Sequence, residues 1–245
     1  MHTKITTWLL CLLFIACRQA PESTSIVAEP VKDTITLVSA VMSHDAQVKL
    51  TPAAALQDLL AGNKRFQAGK NTAWNYPAQV KQTTNSQFPK AVVLSCIDSR
   101  VPVEDIFNQG IGDIFVCRVA GNFVNTDLLG SLEFSCKVTG ARLIIVLGHS
   151  NCGAIKGAID NVQLGNITEM LTAIKPAIGM SRAFPGDHTS KNYAFVDDVA
   201  ENNVRFAIQQ IRAKSPILKE MEEKGEIKIV GAMYSLADGS VQLIP

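Results

Sequence analysis

The segment Arg142-Leu143-Ile144-Ile145-Val146-Leu147-Gly148-His149-Ser150-Asn151-Cys152-Gly153-Ala154-Ile155-Lys156-Gly157-Ala158-Ile159 decides the fold. After Arg142 it runs apolar to Leu147 without alternation, the pattern of a strand covered on both faces. Gly153 to Ile159 then opens a helix, and His149 and Cys152 fall in the turn between. The same arrangement occurs upstream, where Ala91 to Ser95 is a short buried strand and Cys96-Ile97-Asp98-Ser99-Arg100 follows its end. Parallel α/β sheets put the carboxyl ends of their strands on one edge and place their sites there. Cys96, His149 and Cys152 are therefore expected to converge.

Working outward, Thr51-Pro52 starts an N-terminal helix with a hydroxyl at the cap and proline in the first turn. Leu56, Leu59, Leu60 and Phe66 follow at helical spacing to an end near Gly69, a stripe that reads as core or dimer contact. Residues 71–90 read as irregular. Pro102 to Asn108 is a short helix, Asp113 to Val119 a strand and Thr126 to Val138 a helix. Ile167 to Met180 and Val196 to Arg212 are helical. Ile227 to Met233, an Asp238-Gly239 turn and Val241 to Ile244 close as a hairpin. The fold class is α/β: a mainly parallel central sheet flanked by helices, with an N-terminal helical arm and a C-terminal antiparallel strand or hairpin.

With 245 residues and 47% hydrophobic content, the chain has room for one sizeable core. A net charge of +1 gives no electrostatic reason to expect nucleic acid or an anionic membrane surface as partner. The N-terminus is different in kind. A basic start and an apolar stretch from Trp8 to Ala16, too short to span a bilayer, read as a signal peptide. Phe14-Ile15-Ala16-Cys17 resembles a bacterial lipobox, although Phe14 replaces the usual aliphatic residue. The expectation is a signal over residues 1–17, lipidation of Cys17, a tether over 18–50 and a catalytic domain over 51–245. Ordinary secretion with cleavage near Ala20 is the alternative, and both readings export the protein. Membrane contact would then come only through the lipid.

Cys11 lies in the signal, so Cys96, Cys117, Cys136 and Cys152 remain in a compartment that permits disulfides. Cys117 on a strand and Cys136 on a helix face read as buried free thiols. Two thiols and one imidazole are a catalytic zinc set that leaves a fourth position for water. Cys152 just before a helix favours thiolate, the form that binds zinc. Two thiolates make the water less acidic than three neutral ligands would, so a nearby acceptor is needed, and Asp98 is the candidate. A bidentate Arg100–Asp98 pair holds that carboxylate ionised, aimed and off the metal.

The segments Cys96-Ile97-Asp98-Ser99-Arg100-Val101-Pro102, Arg118-Val119-Ala120-Gly121-Asn122, Gly130-Ser131-Leu132-Glu133-Phe134 and His149-Ser150-Asn151-Cys152-Gly153 resemble the β-class carbonic anhydrases, over roughly residues 50–245. The resemblance implies zinc on Cys96, His149 and Cys152, an Asp98–Arg100 dyad, and reversible hydration of carbon dioxide to bicarbonate. It implies a homodimer or homotetramer with the N-terminal helix wrapping the partner. Gln87 matches a glutamine that relatives place in the site from across the dimer, and Phe115 matches an apolar pocket wall. Phe134 stands where plant-like relatives have tyrosine. Gly153 is placed where its backbone N–H can support a product oxygen.

Val93 replaces the tryptophan of the bicarbonate-inhibited subgroup, so an open fourth position, not one capped by Asp98, is expected near neutral pH. Ile97 is larger than the usual Ser or Ala, though its side chain can point into the core. His188, in the loop Pro185-Gly186-Asp187-His188, reads as a solvent-exposed histidine rather than a proton shuttle, and His44, in the tether, has no expected role. Rival readings are a carbon disulfide or carbonyl sulfide hydrolase on the same fold, and a non-catalytic zinc-bearing surface lipoprotein. A cysteine phosphatase is excluded, because three residues, not five, separate Cys96 from Arg100.

Overall fold

The computed structural model describes residues 36–245; Cys11, Cys17, the signal segment and most of the expected tether lie outside the described residues. In chain order the elements are α1 (His44–Lys49), α2 (Pro52–Gln67), α3 (Tyr76–Gln82), β1 (Ala91–Ser95), α4 (Val103–Ile106), β2 (Ile114–Arg118), α5 (Thr126–Glu133) running into a π-helical turn (Phe134–Val138), β3 (Leu143–His149), α6 (Gly153–Ile159), α7 (Gly165–Thr172), α8 (Lys175–Met180), α9 (Tyr193–Lys214), α10 (Pro216–Glu223), β4 (Lys228–Tyr234) and β5 (Val241–Ile244). The strands form one sheet in the order β2-β1-β3-β4-β5. β1 pairs in parallel with β2 and β3, β3 with β4, and only β5 is antiparallel.

Every residue of β1 and β3 is buried, as their unbroken apolar runs require. Successive side chains take opposite faces. Ala91, Val93, Leu143, Ile145 and Leu147 pack with Ala55, Leu56 and Leu59 of α2 and with Ile106 of α4. Val92, Leu94, Ile144 and Val146 pack with Leu129 and Leu132 of α5 and with Val204, Ala207 and Ile211 of α9. The leucine stripe of α2 is thus core of its own chain.

From β1 the chain moves to the β2 side, and from β3 it moves to the β4 side. The carboxyl ends of β1 and β3 therefore flank the point where the winding reverses, which is where open α/β sheets form their crevice. The register Ser95↔Leu147 brings Cys96 and His149 out side by side there.

Three expectations are corrected, and one helix is added. Residues 36–50 are not tether. Val38 bridges Trp74 through Val38 N–H to Ala73 O and Asn75 N–H to Val38 O, both at 2.8 Å. Gln47 in α1 is buried and donates to Pro89 O at 2.7 Å and Thr139 O at 2.8 Å. The 71–90 stretch contains α3, capped by Asn75 Oδ1 accepting from Ala78 N–H at 3.2 Å. The helix expected over 167–180 is two helices, because Pro176 in the first turn of α8 has no N–H to continue a ladder. α10, capped by Ser215 Oγ accepting from Leu218 N–H at 3.2 Å, was not anticipated.

Candidate metal centre

β1 delivers Cys96, β3 ends on His149, and Cys152 caps the start of α6. Their ligand atoms lie within 4.8 Å of one another, and all three side chains are buried. The two Sγ atoms are 4.0 Å apart, about twice a disulfide bond length, and both cysteines are free. His149 Nδ1 lies 2.9 Å from Ser150 O. A carbonyl only accepts, so Nδ1 carries the proton and the lone pair is on Nε2. That Nε2 is buried with no hydrogen-bond partner, an arrangement that costs free energy unless a Lewis acid takes the lone pair.

The thiols are prepared in the same sense. The Cys152 thiol holds Cys96 down at about 4 against the opposing effect of burial, with help from His149 and from Gly121 N–H, which lies 3.4 Å from Cys96 Sγ. Cys152 is pushed up because its proton is shared with Cys96 and because it is buried, although the amides of Ile155 and Ala154 act the other way. The two sulfurs lie within hydrogen-bond reach of each other, and a dication bound between them would displace any proton they keep. The residues present therefore fit a zinc ion: two sulfurs and one imidazole nitrogen, all three side chains buried.

Asp98 sits beside this group. Arg100 Nε donates to Oδ1 at 2.9 Å, Nη2 to Oδ2 at 2.8 Å, and the Arg100 backbone N–H to Oδ1 at 3.0 Å. The guanidinium holds the Asp98 carboxyl well below the usual carboxylate range. Asp98 Oδ2 is 3.9 Å from His149 Nε2, close to the ligand atoms yet committed to Arg100, as the open arrangement requires. Arg118, at the end of β2 and without a role assigned from the sequence, clamps this loop. It donates to Cys96 O at 2.9 Å and Asp98 O at 2.7 Å.

A cavity of about 410 Å³ opens on the centre, walled by Cys96, Ile97, Asp98 and Gly153 on one side and Ile167 and Met170 on the other. Ile97 is 60% exposed, so it walls this cavity and does not enter the core; the β1 strand has ended, and the next alternate position faces out. Gly153 is in place. Gln87, Phe115 and Phe134 are not part of this cavity. Gln87 is exposed on the segment before β1, and Phe115 and Phe134 meet edge to face at 6.4 Å on the β2 flank. Within one chain these three do not join the cysteines.

His188 is exposed, but its Nε2 bonds Phe184 O at 2.8 Å and its ring stacks on Phe195 at 4.6 Å. His44 packs edge to face on Phe88 at 5.5 Å. Cys117 and Cys136 are free; burial pushes the Cys136 thiol up to about 12.

Residues 91–241 match the family model described as carbonic anhydrase. A carbonic anhydrase of Mycolicibacterium smegmatis is 35% identical over 201 residues, covering 78% of this chain and 93% of that protein. One from Pseudomonas aeruginosa is 30% identical, covering 77% of this chain and 87% of its own length. The β-carbonic anhydrase CafA of Aspergillus fumigatus superposes with a TM-score of 0.62 at 25% identity, covering 77% of this chain and 90% of that one. A tetrameric β-carbonic anhydrase of Sordaria macrospora superposes with a TM-score of 0.61 at 22% identity, covering 78% and 94%.

Proposed function

Because the chain belongs to the β-class carbonic anhydrase family, we propose that its buried Cys96–His149–Cys152 cluster holds zinc and serves the reversible hydration of carbon dioxide to bicarbonate and a proton. The observation that carries this is the unpartnered Nε2 of His149, buried among two free thiols and beside an Asp98 locked by Arg100. When held by those three atoms, zinc supplies the Lewis acidity that makes water nucleophilic near neutral pH.

The rest falls to the chain's own residues. Asp98 accepts the hydrogen bond of the attacking water and orients its lone pair toward the substrate carbon. Arg100 keeps that carboxylate ionised and turned from the ligand atoms. The apolar walls formed by Ile97, Ile167 and Met170 receive carbon dioxide, which has no charge to solvate, and favour departure of the bicarbonate ion into water. The released proton passes outward past Asp98, the one carboxylate among the described residues that line the cavity.

Stopped-flow hydration of carbon dioxide, with zinc content measured on the same sample, tests the reading. Activity that rises with zinc occupancy supports it. Stoichiometric zinc without hydration would instead favour a binding protein, and faster turnover of carbonyl sulfide or carbon disulfide would reassign the substrate.

We propose further that the chain works as a homodimer or homotetramer. It is exported and anchored through a lipid on Cys17, a reading supported by the apolar stretch from Trp8 to Ala16 and the Phe14-Ile15-Ala16-Cys17 motif. Cys17→Ser should move the protein from the membrane to the soluble exported fraction, and an unchanged distribution would refute lipidation there.

A further inference from the structure

One peptide group joins His149 to an acidic side chain outside the cluster. Its carbonyl, that of Ser150, accepts from His149 Nδ1–H at 2.9 Å. Its N–H, that of Asn151, donates to Asp197 Oδ1 at 2.7 Å. The carboxylate, the peptide and the imidazole thus form a single hydrogen-bonded chain that ends on the unpartnered Nε2.

Asp197 is held firmly enough for this to matter. It stands on the second turn of α9, and its neighbours Phe195, Val196, Val199 and Ala200 are buried in the same apolar cluster as Cys96 and Cys152. Asn151 adopts a φ of 54°, a left-handed conformation that asparagine tolerates better than most residues. In that conformation its N–H meets α9.

Position alone does not account for the contact. The loop is already tied to the β4 end through Ser150 N–H to Tyr234 O at 3.0 Å and Leu236 N–H to Ser150 Oγ at 3.0 Å. What Asp197 adds is a negative charge on a short, charge-assisted bond. A carboxylate bonded to an amide N–H polarises that amide and makes its carbonyl a better acceptor. A better acceptor at Nδ1–H makes Nε2 a stronger electron donor, the effect carboxylates exert on metal-binding histidines when they bond directly.

We infer that Asp197 is a positioning residue of the metal centre, orienting His149 and strengthening Nε2 as a zinc ligand through the Ser150–Asn151 peptide. The inference rests on the zinc reading of the cluster.

The test is zinc affinity, measured by competition with a chromogenic chelator, for the full chain and three variants. Asp197→Asn keeps the shape and an acceptor for Asn151 N–H but removes the charge; Asp197→Ala removes both. Asp198→Asn removes a neighbouring charge that makes no bond to the loop, since Asp198 meets Asn202. The expected result is affinity about 10-fold weaker for Asp197→Asn and about 100-fold weaker for Asp197→Ala, with Asp198→Asn unchanged. Circular dichroism of each zinc-loaded variant confirms folding.

Parental affinity in Asp197→Asn overturns the polarising role, and parental affinity in Asp197→Ala overturns the whole inference. Equal weakening in Asp198→Asn also overturns it, because a diffuse field would then suffice. A parent chain that takes up no zinc overturns both this inference and the zinc reading, whereas zinc-binding variants of equal affinity overturn this one alone.

Discussion

Arg100 engages both carboxylate oxygens of Asp98, Nε to Oδ1 at 2.9 Å and Nη2 to Oδ2 at 2.8 Å, while Asp98 Oδ2 stays 3.9 Å from His149 Nε2. The carboxylate is near enough to serve the ligand atoms' open side and is prevented from filling it. The fork geometry matters, because a lysine could not fix the plane of the carboxylate.

Replacing Asp98 by asparagine should separate metal binding from catalysis. The amide keeps the shape but not the charge, so its hold on Arg100 weakens and it is no base. Hydration should fall by at least about 10²-fold, the scale of a lost general base, while zinc content stays stoichiometric. Stopped-flow rates and metal analysis on one preparation measure both; full activity in the zinc-loaded variant would remove Asp98 from the mechanism.

The elements that position this pair were legible because their signals are local. The unbroken apolar runs over 91–94 and 143–147 have few other readings, and the Asp238-Gly239 turn marks the closing hairpin. What escaped depends on contacts made far along the chain. Gln47 looks like a tether residue until its amide is seen to bridge Pro89 O and Thr139 O. α3 did carry a signal, Asn75 followed by Pro77, but seven residues give little periodicity. Asp197 is one acid among several on a polar helix face, and nothing local ties it to Asn151. Ile97 would turn inward only if strand alternation continued past Ser95, and β1 stops there.

Gly62 of α2 lies against the backbone of the residue that follows α4. A Cβ there would come 1.8 Å from Phe107 O, and a backbone carbonyl between two packed helices cannot step aside as a side-chain tip can. Gly62→Ala should therefore destabilise the chain by about 3 kcal/mol or more, at the upper end of overpacking costs, despite alanine's better helix propensity. Thermal melting checks it, and an unchanged or raised melting temperature contradicts the close approach.

The π-helical turn carries two apolar side chains toward water: Phe134 is 50% exposed and Val138 is 69% exposed. Phe134 packs edge to face on Phe115 of β2, an edge strand whose residues are incompletely buried. Four residues apart on one helical face, Phe134 and Val138 form a surface suited to a second copy of the chain. Val138→Asp places an unpaired charge in that surface. The mass from light scattering should fall to that of one chain, with the circular dichroism spectrum unchanged; an unaltered assembly would place the interface elsewhere.

Asp113 gives the fold a pH dependence of opposite sign to that of a salt-bridged carboxylate. It is buried at the start of β2, accepts from Gly110 N–H at 2.8 Å, and lies 3.8 Å from Lys90 Nζ, which is closer to Asp58 at 2.8 Å. Burial pushes its carboxyl above the usual aspartate value more strongly than Lys90 draws it down. Between the ordinary value, about 3.9, and the raised one, the native state holds a proton that the unfolded chain has released. Stability then falls as pH rises through that window. Asp113→Asn keeps an acceptor for Gly110 N–H and removes the titration. The parent's melting temperature relative to that of the variant should therefore be highest at low pH and decline as pH rises through the window, levelling off above it. Melting both proteins at matched pH values isolates the difference from every other carboxylate. A flat difference would mean that the pull of Lys90 cancels burial at this site, and one that grows with pH that it outweighs burial.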